Sequence, residues 1–276
     1  MKDDEIENIE VDLLLEAIFR RCGYDFRSYA RASVDRRVRQ FLSGSGCNAI
    51  SEMVQRVMHD AEFLSRLVQY FSISVTEMFR DPFVYRAVRE KVVPLLRTYP
   101  FFNVWHAGCA TGEEVYSLAI VLAEENLLKR ATLYATDIND EALDRAREGI
   151  YPLDKMREST QNYHDASGRA PFSEYYHARY DAAVMDGSLK ERIAFANHNL
   201  VTDGVFGEMQ LVFCRNVLIY FNSELQNRVL RLITDSLARG GLLCLGTKED
   251  LQFTDAAACY ETIDREARLF RKKAGP

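Results

Sequence analysis

The chain has 276 residues, of which 47% are apolar and 28% are charged, and its formal net charge at pH 7 is −6. This size and composition are typical of one large or two smaller globular domains, and the negative charge argues against a general affinity for nucleic acid. The longest apolar runs, such as residues 115–123, are far shorter than the ~20 residues of a membrane-spanning helix, and the acidic residues 1–5 predict no secretory signal.

Residues 1–75 show helical periodicity and no strand pattern, which predicts a small all-helical N-terminal domain. Its first helix places Leu13, Leu14 and Ile18 at helical spacing, and the Ser-Gly-Ser-Gly sequence at residues 43–46 is predicted as a loop. Residues 76–100 form a linker and a connecting helix. That helix is expected to begin at Asp81, an N-cap residue followed by Pro82 at the first helical position.

The predicted helical domain has a local excess of positive charge. Between residues 20 and 39 the only acids are Asp25 and Asp35, whereas there are seven arginines: 20, 21, 27, 31, 36, 37 and 39. Such a run is usually a solvated helix face. On an acidic chain it also suggests a specific acidic partner.

From about residue 101 the pattern changes to alternating strands and helices, which predicts a parallel sheet covered by helices over residues 101–276. The predicted strands are residues 103–107, 132–135, 193–196, 211–214 and 242–246, and the predicted helices are 113–126, 140–148 and 223–238. Residues 239–241, Arg-Gly-Gly, look like a helix stop, and residues 257–272 resemble a terminal hairpin. Residues 151–190 do not fit the alternation and are either an inserted subdomain or a partly ordered lid.

A glycine-containing turn follows the first predicted strand. Where Gly108, Ala110 and Gly112 fall, a nucleotide-like ligand can approach the backbone without meeting a side chain. The next strand ends at Asp137, whose carboxylate can accept hydrogen bonds from both hydroxyls of a ribose. The two features together predict a ligand that contains adenosine, although Asp137 alone could equally cap the helix after it.

Other polar residues follow the later strands, at the edge where a doubly wound sheet binds its ligand. Asn199 and Leu200 follow one strand, and Arg215 and Asn216 follow the next. Residues 74–80, Ser-Val-Thr-Glu-Met-Phe-Arg, bridge the two predicted modules and could close over this edge. The six cysteines and five histidines show no metal-binding spacing, so no metal site is predicted.

These segments together resemble the CheR family, the bacterial chemoreceptor glutamate O-methyltransferases that use S-adenosylmethionine. The resemblance runs from about residue 12 to 270, in the family's order and spacing. The segments that carry it are Thr-Glu-Met-Phe-Arg at 76–80, Ala-Thr-Gly-Glu-Glu-Val-Tyr-Ser at 110–117, Ala-Thr-Asp-Ile at 135–138, Gly-Ile-Tyr at 149–151, Asn-Leu at 199–200 and Phe-Cys-Arg-Asn-Val-Leu-Ile-Tyr-Phe at 213–221.

The resemblance implies an α/β fold, with a class I, Rossmann-like methyltransferase sheet, a small β-subdomain inserted at about residues 151–190, and an all-helical N-terminal domain. It implies S-adenosylmethionine as the cofactor, S-adenosylhomocysteine as its product, and glutamate side chains of chemoreceptors as the methyl acceptors. The expected enzyme is cytoplasmic and monomeric, without nucleic acid or membrane insertion. Its expected partner is the cytoplasmic helical region of a chemoreceptor-like protein.

The resemblance also implies a role for individual residues. Arg80 and Tyr220 would act at the reacting centre, and the residues expected to bind the cofactor are Ser74, Thr76, Arg80, Gly108, Glu113, Glu114, Asp137, Asn199, Leu200, Arg215 and Asn216. Glu113 or Glu114 would meet the methionyl ammonium. The arginines expected to dock the acidic receptor helix are Arg31, Arg36, Arg37 and Arg39.

The chemistry of carboxylate methylation fits this set of residues. A glutamate carboxylate is already ionised at neutral pH, so its attack on a sulfonium methyl needs no general base. Arg80 is therefore expected to orient the carboxylate and not to activate it. Two alternatives remain: a cofactor-binding signalling module without methyl transfer, and a nucleotide-dependent oxidoreductase, for which the Gly-x-Gly-x-x-Gly spacing is missing.

Overall fold

The computed structural model describes residues 3–71 and 76–273, and they form two compact units. The first unit holds the described residues up to 71 together with residues 219–228, which the sequence does not predict to belong there. The second unit holds residues 76–218 and 229–273. Within the described ranges, none of the helices combines the length and apolar character that a bilayer crossing requires.

The first unit is built from helices α1 (Asp3–Cys22), α2 (Arg31–Ser45), α3 (Ile50–His59) and α4 (Ala61–Phe71), which enclose one apolar core. Leu14 and Ile18 are fully buried in this core as predicted, but Leu13 is 56% exposed because it lies on the opposite face of α1. The loop predicted at residues 43–46 is wrong. α2 continues to Ser45, and Gly46 ends it as a left-handed C-cap with φ of 74°.

The second unit contains a seven-stranded sheet in the order β6-β2-β1-β7-β8-β10-β9. The first five strands of this order are parallel, and β10 and β9 are antiparallel to their neighbours. The strands are β1 (Phe102–Ala107), β2 (Ala131–Asp137), β6 (Ile193–Asn197), β7 (Met209–Cys214), β8 (Leu237–Leu245), β9 (Tyr260–Asp264) and β10 (Leu269–Lys272). The order reverses between β1 and β7, so the crevice for a ligand is expected at their carboxyl ends.

Helices precede β1 and connect several of the strands. They are α5 (Pro82–Ala87), which a π-helical turn (Val88–Val92) joins to α6 (Val93–Leu96), then α7 (Glu113–Glu124), α8 (Asp140–Glu148), α9 (Met156–Asp165), α10 (Gly187–Lys190) and α11 (Ser223–Ser236). The predicted Rossmann-like α/β class and the terminal hairpin are thus confirmed. The helix stop predicted at residues 239–241 is misplaced, because α11 ends at Ser236 and β8 begins at once, with an irregular register against Met209.

Residues 151–190 form an ordered subdomain and not a lid. Strands β3 (Ile150–Pro152), β5 (Ala182–Met185) and β4 (Tyr176–Arg179) make a small antiparallel sheet, and α9 precedes it in the chain. Glu124 of α7 attaches this subdomain to the large sheet, because its carboxylate accepts hydrogen bonds from Tyr163 (2.5 Å), Tyr175 (3.0 Å) and the backbone of Arg169 (2.8 Å).

Candidate functional site

The turn after β1 needs its glycines for conformation and for packing. Gly108 has φ of 77°, and a Cβ there would lie 2.6 Å from Val217 Cγ2. Gly112 has φ of 91°, and a Cβ there would lie 2.8 Å from Ala146 Cβ. Both positions therefore exclude a side chain, because Val217 and Ala146 already occupy the volume where a Cβ would lie. The approach of a ligand to the backbone of this turn stays a prediction.

Asp137 lies at the end of β2 and closes this turn. Its Oδ2 accepts a hydrogen bond from Ala110 N (2.8 Å), and its Oδ1 accepts one from Asn139 N (2.9 Å). Burial raises the pKa of this carboxyl, and the backbone N–H groups that bind it act in the opposite direction. It is not the cap of the following helix, because the side chain of Asn139 fills that role by accepting from Ala142 N.

The structure distinguishes Glu113 from Glu114 at the start of α7. Glu114 is enclosed, with Oε1 3.2 Å from His106 Nδ1 and Oε2 2.9 Å from Arg215 Nη1. Burial would raise its pKa, but the hydrogen bond from His106 and the charge of Arg215 outweigh burial and lower it. Glu113 instead accepts from the neutral hydroxyl of Thr111 (2.7 Å), and burial raises its pKa to about 6.

Arg215, at the end of β7, has no exposed side-chain surface. It binds Glu114 and also Asp81, whose Oδ2 lies 2.7 Å from Arg215 Nη2. Asp81 does precede α5, with Pro82 at the first helical position as predicted, but its side chain makes no capping hydrogen bond. The carboxylate instead forms an ion pair with Arg215, which lies more than a hundred residues away in the sequence.

The remaining predicted residues of the crevice follow β6 and β7. Asn199 stabilises its own loop, because its Oδ1 accepts from Val201 N (2.9 Å), and Leu200 beside it is buried. Asn216 has φ of 60°, and its N–H donates to Glu249 Oε2 (3.0 Å). Sequence reasoning missed Glu249, a buried acid that also accepts from the backbone N–H of Gly246 at the end of β8. Glu249 follows the predicted strand at residues 242–246, and this position could have marked it as a candidate site residue.

The four other predicted site residues are Ser74, Thr76, Arg80 and Tyr220. Thr76 and Arg80 are half-buried in the segment that precedes α5. Ser74 lies outside the described residues. Tyr220 belongs to the first unit, where its carbonyl accepts from Ala30 N (2.8 Å).

The four predicted docking arginines differ in their contacts within the first unit. Arg31 forms ion pairs with Asp12 and Asp35, and Arg39 pairs with Glu7 (2.6 Å). Arg37 donates to the carbonyl of Phe71 (2.5 Å) and lies over the ring of Tyr220. Burial lowers its pKa. Arg36 is exposed. Acids of α1 thus already neutralise part of the positive charge that the sequence shows.

Comparison with known families identifies both units. Residues 74–265 match the family described as "CheR methyltransferase, SAM binding domain", and residues 9–72 match "CheR methyltransferase, all-alpha domain". The chain belongs to the CheR methyltransferase family. Its cofactor is S-adenosylmethionine, as predicted.

Individual relatives cover nearly the whole chain. A Pseudomonas putida protein named "Putative methyltransferase Cher3" is 51% identical over 99% of this chain and 100% of its own length. The "Chemotaxis protein methyltransferase" of Listeria innocua is 29% identical over 89% of this chain and 92% of its own. The "Chemotaxis protein methyltransferase 1" of Pseudomonas aeruginosa is 27% identical over 88% and 91%.

The residues at the carboxyl ends of the CheR sheet fit S-adenosylmethionine chemically. The cofactor presents a ribose diol, an ammonium and a sulfonium. Two half-buried carboxyl groups lie at the turn around residues 108–113: that of Glu113 accepts from the hydroxyl of Thr111, and that of Asp137, at the end of β2, accepts from the backbone N–H of Ala110. Carboxylates are suitable partners for both the diol and the cations. Asp137 would hold the ribose, and Glu113, which is not paired with an arginine as Glu114 is, would hold the ammonium.

The raised pKa of Glu113 predicts a pH-dependent cofactor affinity. Below about pH 6 the carboxyl takes up a proton and loses its attraction for the ammonium. Between pH 7 and pH 5 the affinity of the wild-type protein should therefore fall about tenfold relative to that of Glu113→Gln, which cannot titrate. Isothermal titration calorimetry with S-adenosylmethionine measures the affinities of both proteins. Any change in the ionisation of the cofactor itself affects both affinities equally and cancels in the comparison.

The exposed Glu141 provides a matched control for this prediction, because Glu141→Gln changes the same group on the surface of α8. It should keep the wild-type pH profile. Equal pH profiles for the wild-type protein and Glu113→Gln would show that Glu113 does not bind the cofactor.

Proposed function

We propose that this protein transfers the methyl group of S-adenosylmethionine to glutamate side chains on the helical cytoplasmic region of chemoreceptor-type proteins, giving glutamyl methyl esters. The observation that carries the proposal is the two carboxyl groups with raised pKa, that of Asp137 at the end of β2 and that of Glu113 at the start of α7, in a chain whose residues 9–72 and 74–265 match the CheR family. The relatives named as chemotaxis protein methyltransferases support a role in chemotaxis. A cytoplasmic monomer is the state we propose.

The residues of this chain would have distinct tasks in such a transfer. When bound, S-adenosylmethionine supplies an electrophilic methyl group on a sulfonium sulfur. Asp137 would hold the ribose of the cofactor and Glu113 its ammonium, and Arg80 would orient the acceptor carboxylate in line with the methyl group. The acceptor is ionised at neutral pH, so the site needs no general base. A tight ion pair with Arg80 would weaken the nucleophile, which limits Arg80 to orientation.

The docking of the receptor is proposed on electrostatic grounds. Arg36 is exposed on α2, and Arg31, Arg37 and Arg39 lie on the same helix. An acidic receptor helix would be attracted to this surface, and the attraction would weaken as salt is added. Because Arg31 and Arg39 are paired with acids of α1, Arg36 is the arginine on which we expect docking to depend most.

The proposed reaction predicts an alkali-labile product. Methyl-labelled S-adenosylmethionine, the purified protein and chemoreceptor-containing membranes should give labelled protein, because a glutamyl methyl ester forms. Mild alkali should then release the label as methanol, which scintillation counting of the volatile fraction measures. Label that resists alkali would show that the acceptor is not a carboxylate.

Two variants separate catalysis from cofactor binding in this assay. Arg80→Ala should reduce labelling by about 100-fold while the cofactor affinity stays close to the wild-type value, because a misplaced acceptor slows transfer without changing the cofactor pocket. Arg86→Ala removes an exposed arginine six residues away and should label normally. Tight cofactor binding by the wild-type protein without labelling of any receptor would instead support a signalling module without methyl transfer.

A further inference from the structure

The segment that presents Arg80 is held in an unfavourable backbone conformation. Phe79 has φ of 54° and Asp81 has φ of 56°, so two residues with side chains adopt left-handed geometry on either side of Arg80. Such residues persist where the surrounding structure imposes their conformation, and they concentrate at functional sites. The N–H of Phe79 donates to Ser117 Oγ (2.8 Å), which fixes the beginning of the segment.

Arg215 fixes the end of the same segment. Its Nη2 donates to Asp81 Oδ2 (2.7 Å) and to the carbonyl of Arg80 (3.2 Å), and its Nη1 donates to Glu114 Oε2 (2.9 Å). Two carboxylates already neutralise this guanidinium, and its side chain is fully buried. It is therefore placed to hold a backbone carbonyl and two carboxylates of the protein.

His106 extends this arrangement behind Glu114. Its ring is fully buried and stacks on Phe213, and its Nδ1 lies 3.2 Å from Glu114 Oε1. Its Nε2 has no hydrogen-bond partner among the described residues. A proton on Nε2 would be a buried donor without an acceptor, whereas a proton on Nδ1 can be donated to the carboxylate. The geometry therefore suits a proton on Nδ1, from which the ring donates to Glu114.

We infer that His106, Glu114, Arg215 and Asp81 form a positioning chain that holds the segment 79–81 and thereby aims Arg80 at the acceptor carboxylate. In this chain of contacts His106 orients Glu114, and Glu114 orients Arg215. Arg215 in turn binds Asp81 and the Arg80 carbonyl. All four residues of this positioning chain lie within the second unit. The inference rests on the proposed function, because that function gives Arg80 its task.

Three variants test the positioning chain. Asp81→Asn removes the charge that binds Arg215, while asparagine tolerates the left-handed backbone as well as aspartate does. His106→Phe keeps a ring of similar size on Phe213 but removes the donor to Glu114. His106→Asn is the conservative variant, because its side-chain amide can place an N–H near the position of Nδ1. Asp144→Asn, at an exposed position of α8, is the matched control.

The readouts are hydrogen–deuterium exchange of residues 76–86, the dissociation constant of S-adenosylmethionine, and kcat and KM for receptor methylation. Asp81→Asn and His106→Phe should speed exchange in this segment and lower kcat at least about tenfold. Their dissociation constants should stay within about threefold of wild type, because neither Asp81 nor His106 is among the residues expected to bind the cofactor. His106→Asn and the control should match the wild-type protein.

Two results would overturn the positioning chain. One is unchanged exchange in both Asp81→Asn and His106→Phe, and the other is a weakening of cofactor binding that parallels the loss of kcat. If His106→Phe does not fold, Asp81→Asn still tests the positioning chain, because Asp81 is partly exposed and its replacement does not disturb the buried core. If the wild-type protein methylates no receptor, the proposed function fails, whereas exchange and cofactor binding still test the positioning chain.

Discussion

Replacing Glu124 with alanine is expected to lower the free energy of unfolding by about 3–5 kcal/mol, the cost of removing one partner from a buried ion pair. Its side chain is 3% exposed and pairs with Arg89, which is 6% exposed. Its carboxylate also accepts from Tyr163, Tyr175 and the backbone of Arg169. Alanine would remove the acceptor that these donors share and would take one of its two carboxylate partners from the buried Arg89. Chemical denaturation followed by circular dichroism measures the change.

The stability lost in Glu124→Ala should depend on pH and become smaller in acid. Burial would raise the pKa of Glu124, but the hydrogen bonds of Tyr163 and Arg169 and the charge of Arg89 lower it overall. The stabilisation from this carboxylate is therefore complete above its ordinary pKa of 4.5 and is lost as the pH falls through the lowered value. The difference between wild type and Glu124→Ala should accordingly shrink in acid.

The matched control for Glu124 is Glu141, which forms an exposed pair with Arg145 on α8. Glu141→Ala should cost no more than about 0.5 kcal/mol, as exposed pairs within a helix do. Equal stability losses for the two variants would contradict the role assigned to Glu124 in attaching the inserted subdomain.

Replacing Asp137 with asparagine is expected to weaken S-adenosylmethionine binding roughly 100-fold, or about 2.7 kcal/mol, because hydrogen bonds of hydroxyls to a carboxylate are stronger than those to an amide. Asparagine also has only one acceptor oxygen where Asp137 uses both, for Ala110 N and Asn139 N. Calorimetric titration with the cofactor, and with S-adenosylhomocysteine, measures the loss. Both compounds carry the ribose and should be affected equally.

Asp144→Asn makes the same exchange on an exposed aspartate of α8 and should bind the cofactor as the wild-type protein does. A melting temperature of Asp137→Asn close to wild type would show that the turn remains folded. Wild-type affinity in Asp137→Asn would exclude a role for this carboxylate in holding the ribose.

Most elements of the fold follow from patterns that are local in the sequence. The alternation of apolar strands and amphipathic helices predicts the parallel sheet, and the predicted helix at residues 140–148 has the observed bounds. The errors lie where tertiary contacts outweigh local propensity. Serine and glycine suggest a loop at residues 43–46, yet α2 continues to Ser45, and β8 begins five residues before the predicted strand because Leu237 pairs with Met209.

The sequence by itself determined the family, the order of the strands and helices, and the acids and arginines available at the carboxyl ends of the strands. Only the tertiary structure decided which of these groups bind each other. It pairs Arg215 with Glu114 and Asp81, which lie 101 and 134 residues away in the chain, and leaves Glu113 with a neutral hydroxyl. Periodicity and turn preferences act between neighbours in sequence, whereas the partner and pKa of a buried charge depend on burial and on groups that only folding brings together.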